Sequence, residues 1–178
     1  MSTISTSTGC YGPRGWTTAR NIKHLLRPFL NRVPCPWLSP DQICSEVLSE
    51  YEPFQGLTGN VVNQLLKVLP QANLDDRQNF APTCQALLQA CANNPDVVEL
   101  IGYAIGPARR DERISIEGLI YYADTPRELH DGSAKPEELW QQFKSELNLH
   151  NARLNPDELR RVTPTWSQHR RGWLLWWD

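Results

Sequence analysis

Apolar positions recur along the first two-thirds of the chain at the three-to-four-residue spacing of amphipathic helices. This pattern predicts a mainly α fold. The first helix opens at Trp16 and Thr17 and carries Ile22, Leu25, Leu26 and Phe29 on one side. Pro28 kinks or ends it, because proline lacks the N–H and clashes with the preceding turn. A second helix has the sharpest start in the chain: Ser39 as N-cap, Pro40 in the first helical position and Gln42 closing a capping box. Ile43, Val47, Leu48 and Tyr51 form its apolar stripe, and Pro53 and Gly56 mark its exit.

A third helix runs from about Thr58 to Leu69 and a fourth from about Pro82 to Ala92. A fifth is expected after Asn94-Pro95, carrying Val97, Val98, Leu100, Ile101 and Ile105 to a stop at Gly106-Pro107. The period then changes. Ile114 to Tyr122 alternates and is rich in β-branched and aromatic residues, which reads as a strand or a tight hairpin around Glu117-Gly118. A sixth helix spans about Pro136 to Leu147, and Asn155, Pro156 and Glu158 cap a short seventh with a staple from Leu154 and Leu159.

The expected organisation is a flexible tail over residues 1–15, a helical block of about five helices over 16–107, and a smaller mixed α/β unit over 108–178 packed on the same core. The Leu-Leu pairs at 25–26, 65–66 and 87–88 share no fixed spacing, so no solenoid is implied.

The length of 178 residues, with 40% apolar and 21% charged positions, excludes a wholly disordered chain, a collagen-like chain and a small disulfide scaffold. Met1 to Thr8 has neither the basic start nor the apolar stretch of a secretory signal. The longest apolar candidate for a membrane span, Val97 to Gly106, is interrupted by Glu99. Five cysteines, Cys10, Cys35, Cys44, Cys84 and Cys91, include no C-x-x-C pair and suit a reducing compartment with free thiols. A soluble cytoplasmic protein with no membrane partner is the expectation.

Charge is uneven along the chain. Residues 1–40 carry five basic and no acidic side chains, residues 41–146 eight basic and seventeen acidic, and residues 147–178 five basic and three acidic. The basic N-terminal stretch can sit on the acidic middle or on an external polyanion.

Two constellations carry candidate chemistry. Near the C-terminus, Trp166, Trp173, Trp176 and Trp177 lie close to Arg160, Arg161, Arg170 and Arg171. Tryptophan beside arginine anchors protein interfaces or stacks on bases. The candidate partner surface is Arg170, Arg171, Trp173, Trp176 and Trp177; the competing expectation is a final strand, apolar on both faces, that pairs with the 114–122 segment in the core. One face buried and one binding is the mixed case. In the third helix, Asn60, Asn63, Gln64 and Lys67 form a polar stripe able to reach base edges. With the preceding helix this gives a helix-turn-helix-like outline over residues 39–69, and Arg20, Lys23 and Arg27 would grip phosphates.

Motifs for metal, nucleotide or nucleophilic chemistry are missing. No two of His24, His130, His150 and His169 are four apart, and no Walker loop, G-x-G-x-x-G or G-x-S-x-G occurs. No cofactor and no metal is implied. The reading is a non-enzymatic intracellular binding, adaptor or regulatory protein whose partner is another protein. The alternative is a DNA-binding regulator, and the third a small enzyme without a recognisable motif.

Overall fold

The computed structural model describes residues 8–30, 46–123 and 135–178. Their framework is a five-stranded antiparallel sheet in the spatial order β1-β2-β3-β5-β4. The strands are β1 (Glu52–Leu57), β2 (Val98–Ile105), β3 (Arg113–Tyr121), β4 (Glu158–Val162) and β5 (Gly172–Trp176). Six helices accompany them among the described residues: α1 (Trp16–Ala19), α2 (Ile22–Leu30), α3 (Asn60–Val68), α4 (Gln71–Leu74), α5 (Cys84–Asn93) and α6 (Pro136–Glu146). The mainly helical expectation is therefore corrected to a mixed fold built on one large sheet. β2 pairs with β3 across the expected boundary at residues 107/108, so the sheet is shared between the two expected units.

Each misread segment has a local cause. Ser39 and the start of the second expected helix lie outside the described residues. Residues 46–51 are bends and irregular chain leading into β1, not helix. There the Glu52 carboxylate takes the Ser49 N–H at 2.6 Å and Ser49 Oγ donates to the Tyr51 carbonyl, so local side-chain bonds replace helical ones. The fifth expected helix is β2. Asn94 does not start it but closes α5, donating its N–H to the Cys91 carbonyl and its side-chain amide to Ala90. Val98 to Ile105 is apolar on both faces because both faces are covered, and such a run carries no decisive period. The seventh expected helix is β4, whose Leu159 turns inward opposite Leu175. The third, fourth and sixth expected helices correspond to α3, α5 and α6.

Glu117-Gly118 is not a hairpin. Ile101 pairs with Gly118 and Gly102 with Ile116, so Glu117 is an extra residue, a β-bulge inside one strand. The bulge shifts the alternation of β3: Ile114 and Ile116 face the helices before it, Leu119 and Tyr121 after it. A second bulge at Gly56, in the left-handed region (φ 69), does the same for β1.

The helices cover one face. α2 packs on β1, α5 on β2 and β3, and α3 on α5. α6 lays Trp140 against Trp177 (ring centroids 5.7 Å apart) and Phe143 against Trp173 and Tyr121 (5.8 and 5.2 Å). No helix among the described residues is long and apolar enough to cross a membrane.

Buried polar groups tie the periphery to this frame. Residues 8–15, expected to be flexible, are docked: the Cys10 N–H bonds the Arg110 carbonyl and the Arg14 guanidinium bonds the Pro107 and Ala108 carbonyls. The Glu112 carboxylate, 1% exposed, takes the backbone N–H groups of Gly15 and Thr17 at 2.7 Å each and so caps α1 from a distance. Lys23 and Glu52 form an enclosed ion pair at 2.7 Å that joins α2 to β1. β5 covers β3 only from Gly118 to Tyr121, and at Ile114, where no strand pairs, the ladder position is filled by Asn73. Its amide accepts the Ile114 N–H at 2.9 Å and donates to the Ile114 carbonyl at 2.8 Å, replacing a strand with one side chain.

Replacing Asn73 with alanine strands a buried donor and a buried acceptor at once. Urea denaturation should show a loss of about 3 kcal/mol, since each such group costs ~1–3 kcal/mol. Glu52→Gln removes the carboxylate charge that faces the buried Lys23 ammonium and should cost about 3–5 kcal/mol, while a Lys23→Met/Glu52→Leu double variant recovers most of that loss. Burial and the charge of Asp178 push the Glu117 carboxyl up to about 6. The folded chain therefore keeps a proton there that the unfolded chain has lost, and stability falls as pH rises through the interval from ordinary glutamate values to about 6. Glu117→Gln should raise stability at pH 8 by on the order of 1 kcal/mol once solvent screening is allowed for, read as a higher melting temperature, and leave the melting temperature unchanged near pH 4.

Candidate ligand groove on the open face of the sheet

Opposite the helices, strand alternation sets out a second group of side chains. One row crosses all five strands in register: Gln55, Ile101, Gly118, Trp176 and Glu158. The next row is Glu99, Ile120, Leu174 and Arg160. Ile101, Ile120 and Tyr122 form a separate buried apolar cluster, with Val162, Trp166, Leu174 and Trp176 packed against it. Gly118 stands at the centre of the first row. A Cβ there would meet the Leu175 carbonyl at 2.4 Å and Trp176 Cε3 at 3.1 Å, so the missing side chain is what lets the Trp176 indole lie across the sheet.

No helix covers this face among the described residues; the nine-residue connection from β4 to β5 folds over part of it. Pro164 is buried, Ser167 donates its N–H to the Pro164 carbonyl, and Arg170 donates its own to Ser167, giving two consecutive turns. The connection is anchored on Glu99. Trp166 Nε1 donates to Glu99 Oε2 at 2.5 Å and the Tyr122 hydroxyl donates to the same oxygen at 2.8 Å. Burial and this carboxylate push the Tyr122 hydroxyl well above its ordinary range. Arg170 closes the far side, 3.9 Å above the Tyr122 ring, with a bond to the Asp96 carbonyl at 2.7 Å.

Between the anchored connection and the strands lies a groove of about 440 Å³. Ile101, Ile120 and Leu174 give it an apolar floor, Trp166 and Trp176 supply indole surface, Gln55 lies at one end, and Glu158 and Arg160 stand at the other. Glu158 and Arg160 are joined at 2.7 Å and both are half exposed or more. The volume falls in the range of small-ligand and side-chain pockets, and its few polar groups at the rim would orient an occupant.

The residues singled out from sequence separate accordingly. Trp173 and Trp177 are 7% and 1% exposed, face the helices and carry core packing. Trp176 faces the groove. Arg170 is committed to Tyr122 and Asp96, and Arg171 is exposed. The final strand pairs with the 114–122 segment, Trp173 opposite Tyr121 and Trp176 opposite Gly118, so one of its faces is core and the other is open. Of the stripe on α3, Asn60, Asn63 and Lys67 are exposed and Gln64 is half-buried. No helix precedes α3 within residues 46–57, so the helix-turn-helix outline is absent from the described part of 39–69. Lys23 is buried against Glu52, Arg27 pairs with Glu46 at 2.6 Å, and Arg20 donates to the Val68 carbonyl.

The remaining candidate groups are placed as follows. His130, Cys35 and Cys44 lie outside the described residues. Burial pushes the Cys84 and Cys91 thiols up to about 12 and about 11, leaving them protonated. No group of three or more His, Cys, Asp or Glu among the described residues is placed to hold a metal ion. At the opposite end of the sheet, Tyr11, Asp76, Gln78, Tyr103, Arg113 and Ser115 form a hydrogen-bonded set, but the void beside Gln78, Cys84 and Ser115 has no room for a water molecule.

Ile101, Ile120, Glu99 and Leu174 were not singled out as a site in the sequence. A signal for them was present in Glu99 itself, a carboxylate two residues from Ile101 in an otherwise apolar run. Comparison with protein-family models, curated proteins and solved structures finds no match for this chain.

Proposed function

We propose that this protein is a binding module, an adaptor or regulator, that recognises a polypeptide partner through the open face of its sheet. The observation that carries the reading is the indole-lined groove formed by Trp166 and Trp176 over Ile101, Ile120 and Leu174. A flexible peptide segment with one or two apolar side chains has the size and the chemistry to fill it. Tryptophan in a partly desolvated pocket is the residue type that most often dominates such contacts.

The charge around the groove favours polypeptide over nucleic acid. Arg160 is paired with Glu158, Arg170 is spent on Tyr122 and Asp96, and Glu99 places a carboxylate beneath Trp166. A surface that gathers phosphates needs several unpaired cations along one track. The exposed free thiol of Cys10 suits a reducing compartment, which agrees with a cytoplasmic site of action.

Panning a random peptide library against the purified protein tests the reading, with Trp176→Ala as the counter-selected variant. Peptides should emerge whose binding weakens at least about tenfold with Trp176→Ala, while its circular dichroism spectrum stays unchanged. A selection with no Trp176-dependent peptide, or tight duplex DNA binding that falls steeply with salt, would overturn it.

A further inference from the structure

The groove is not electrically bland, and its charges point to what fits it. One carboxylate, Glu158, and two indoles, Trp166 and Trp176, line it, and a second carboxylate, Glu99, stands behind Trp166. Glu158 lies directly opposite Trp176 in the β4–β5 register. Glu99 holds the Trp166 N–H at 2.5 Å, and its other donor is the neutral Tyr122 hydroxyl. No ion pair neutralises Glu99 among the described residues. An indole that donates to a carboxylate becomes richer in electrons on its ring, and electron-rich ring faces attract cations.

The cations nearby do not cancel this. Arg170 sits on Tyr122 and, like Glu99, does not itself line the groove, so the charges that an occupant meets directly are those of Glu158 and Arg160. Arg160 does line it, but its bond to Glu158 is a surface pair, with side chains 61% and 50% exposed, of the kind that contributes little and exchanges readily. The protein already uses the same chemistry internally: Arg113 over Tyr103 at 5.5 Å, Arg161 over Trp173 at 5.1 Å and Arg170 over Tyr122 at 3.9 Å.

We propose that the groove accepts an arginine side chain of its polypeptide partner, the guanidinium stacking on the indoles of Trp166 and Trp176 and displacing Arg160 from the Glu158 carboxylate. This rests on the peptide-binding reading and names the side chain that the site selects. Arginine fits better than lysine because its planar, weakly hydrated head sheds water at less cost against an apolar floor and can meet a carboxylate with two N–H groups.

The test uses a short capped peptide with one central arginine between leucines, and the same peptide with citrulline, its neutral isostere. Binding is read by tryptophan fluorescence and calorimetry. The arginine peptide should bind about tenfold or more tightly than the citrulline peptide. Glu158→Gln should narrow that gap, and Arg160→Ala, which frees Glu158, should widen it. Equal affinity for the two peptides would overturn the arginine inference and leave the peptide-binding reading intact, since the groove would then select apolar bulk alone. A stronger response to a glutamate-centred peptide, or weaker arginine binding in Arg160→Ala, would also overturn it. Failure of every peptide to bind would overturn it too, and the library selection then decides separately whether the face binds peptides at all.

Discussion

The pairing of β5 with β3 sets the two faces of the sheet, and the rest of the structure follows from it. Side chains alternate along a strand with a period of two, so one register sends Trp173, Leu175 and Trp177 to the helices and Leu174 and Trp176 to the open side. A slip of one residue would put two indoles into solvent and Trp176 into the place now occupied by its neighbours. Gly118 helps hold the register, because a side chain there would collide with the Leu175 carbonyl and crowd the Trp176 ring. The Glu117 bulge serves the same end from the β3 side. Without it Leu119 and Tyr121 would turn away from the helices that now enclose Leu119.

A sheet with so much apolar surface needs its edges managed. β4 is short, and Glu158, Arg160 and Arg161 place charge along it, which discourages pairing with another chain. A symmetric antiparallel pairing centred on Arg160 would set like charges face to face. β1, at the other edge, carries Pro53, which cannot donate to a further ladder. Where β3 runs past the end of β5, Asn73 takes up both backbone groups of Ile114. Neither edge of the sheet thereby offers a clean ladder to a further strand.

How much of this could be read from the residues divides along physical lines. α3, α5 and α6 were legible because each has one apolar face and clear end signals, such as Thr83 accepting the Ala86 N–H at the start of α5. β3 was legible from its β-branched alternation, and the final strand from its apolar content on both sides. β2 was not. Val98, Leu100, Ile101 and Ile105 fit a helical spacing by coincidence, because a strand buried on both faces shows no alternation. β4 was missed for the opposite reason: Asn155-Pro156 mimics a helix start, and only a residue 16 positions away, Leu175, reveals that Leu159 belongs to a ladder. The tryptophan-rich end was visible as a candidate surface, yet which of its indoles are buried depends on register, a property of β3 and β5 together.

The same reasoning bears on the apolar surface of the open face, which is buried at Ile101 and Ile120 and only partly covered at Trp166, Leu174 and Trp176. Contiguous apolar patches on a monomer invite aggregation unless a function retains them. Here the patch is interrupted by design of the chain: the β4–β5 connection lies over one side, pinned at Glu99 by Trp166 and Tyr122 and at Asp96 by Arg170. Such anchoring costs backbone entropy for a connection of nine residues, far longer than a hairpin requires. Had coverage been its only role, an apolar connection packed flat on Ile101 and Ile120 would serve better than one held by a carboxylate. Holding Trp166 by its N–H on Glu99 leaves a groove beside Trp176 where a flat cover would have filled it, and that geometry is the physical argument for an occupant.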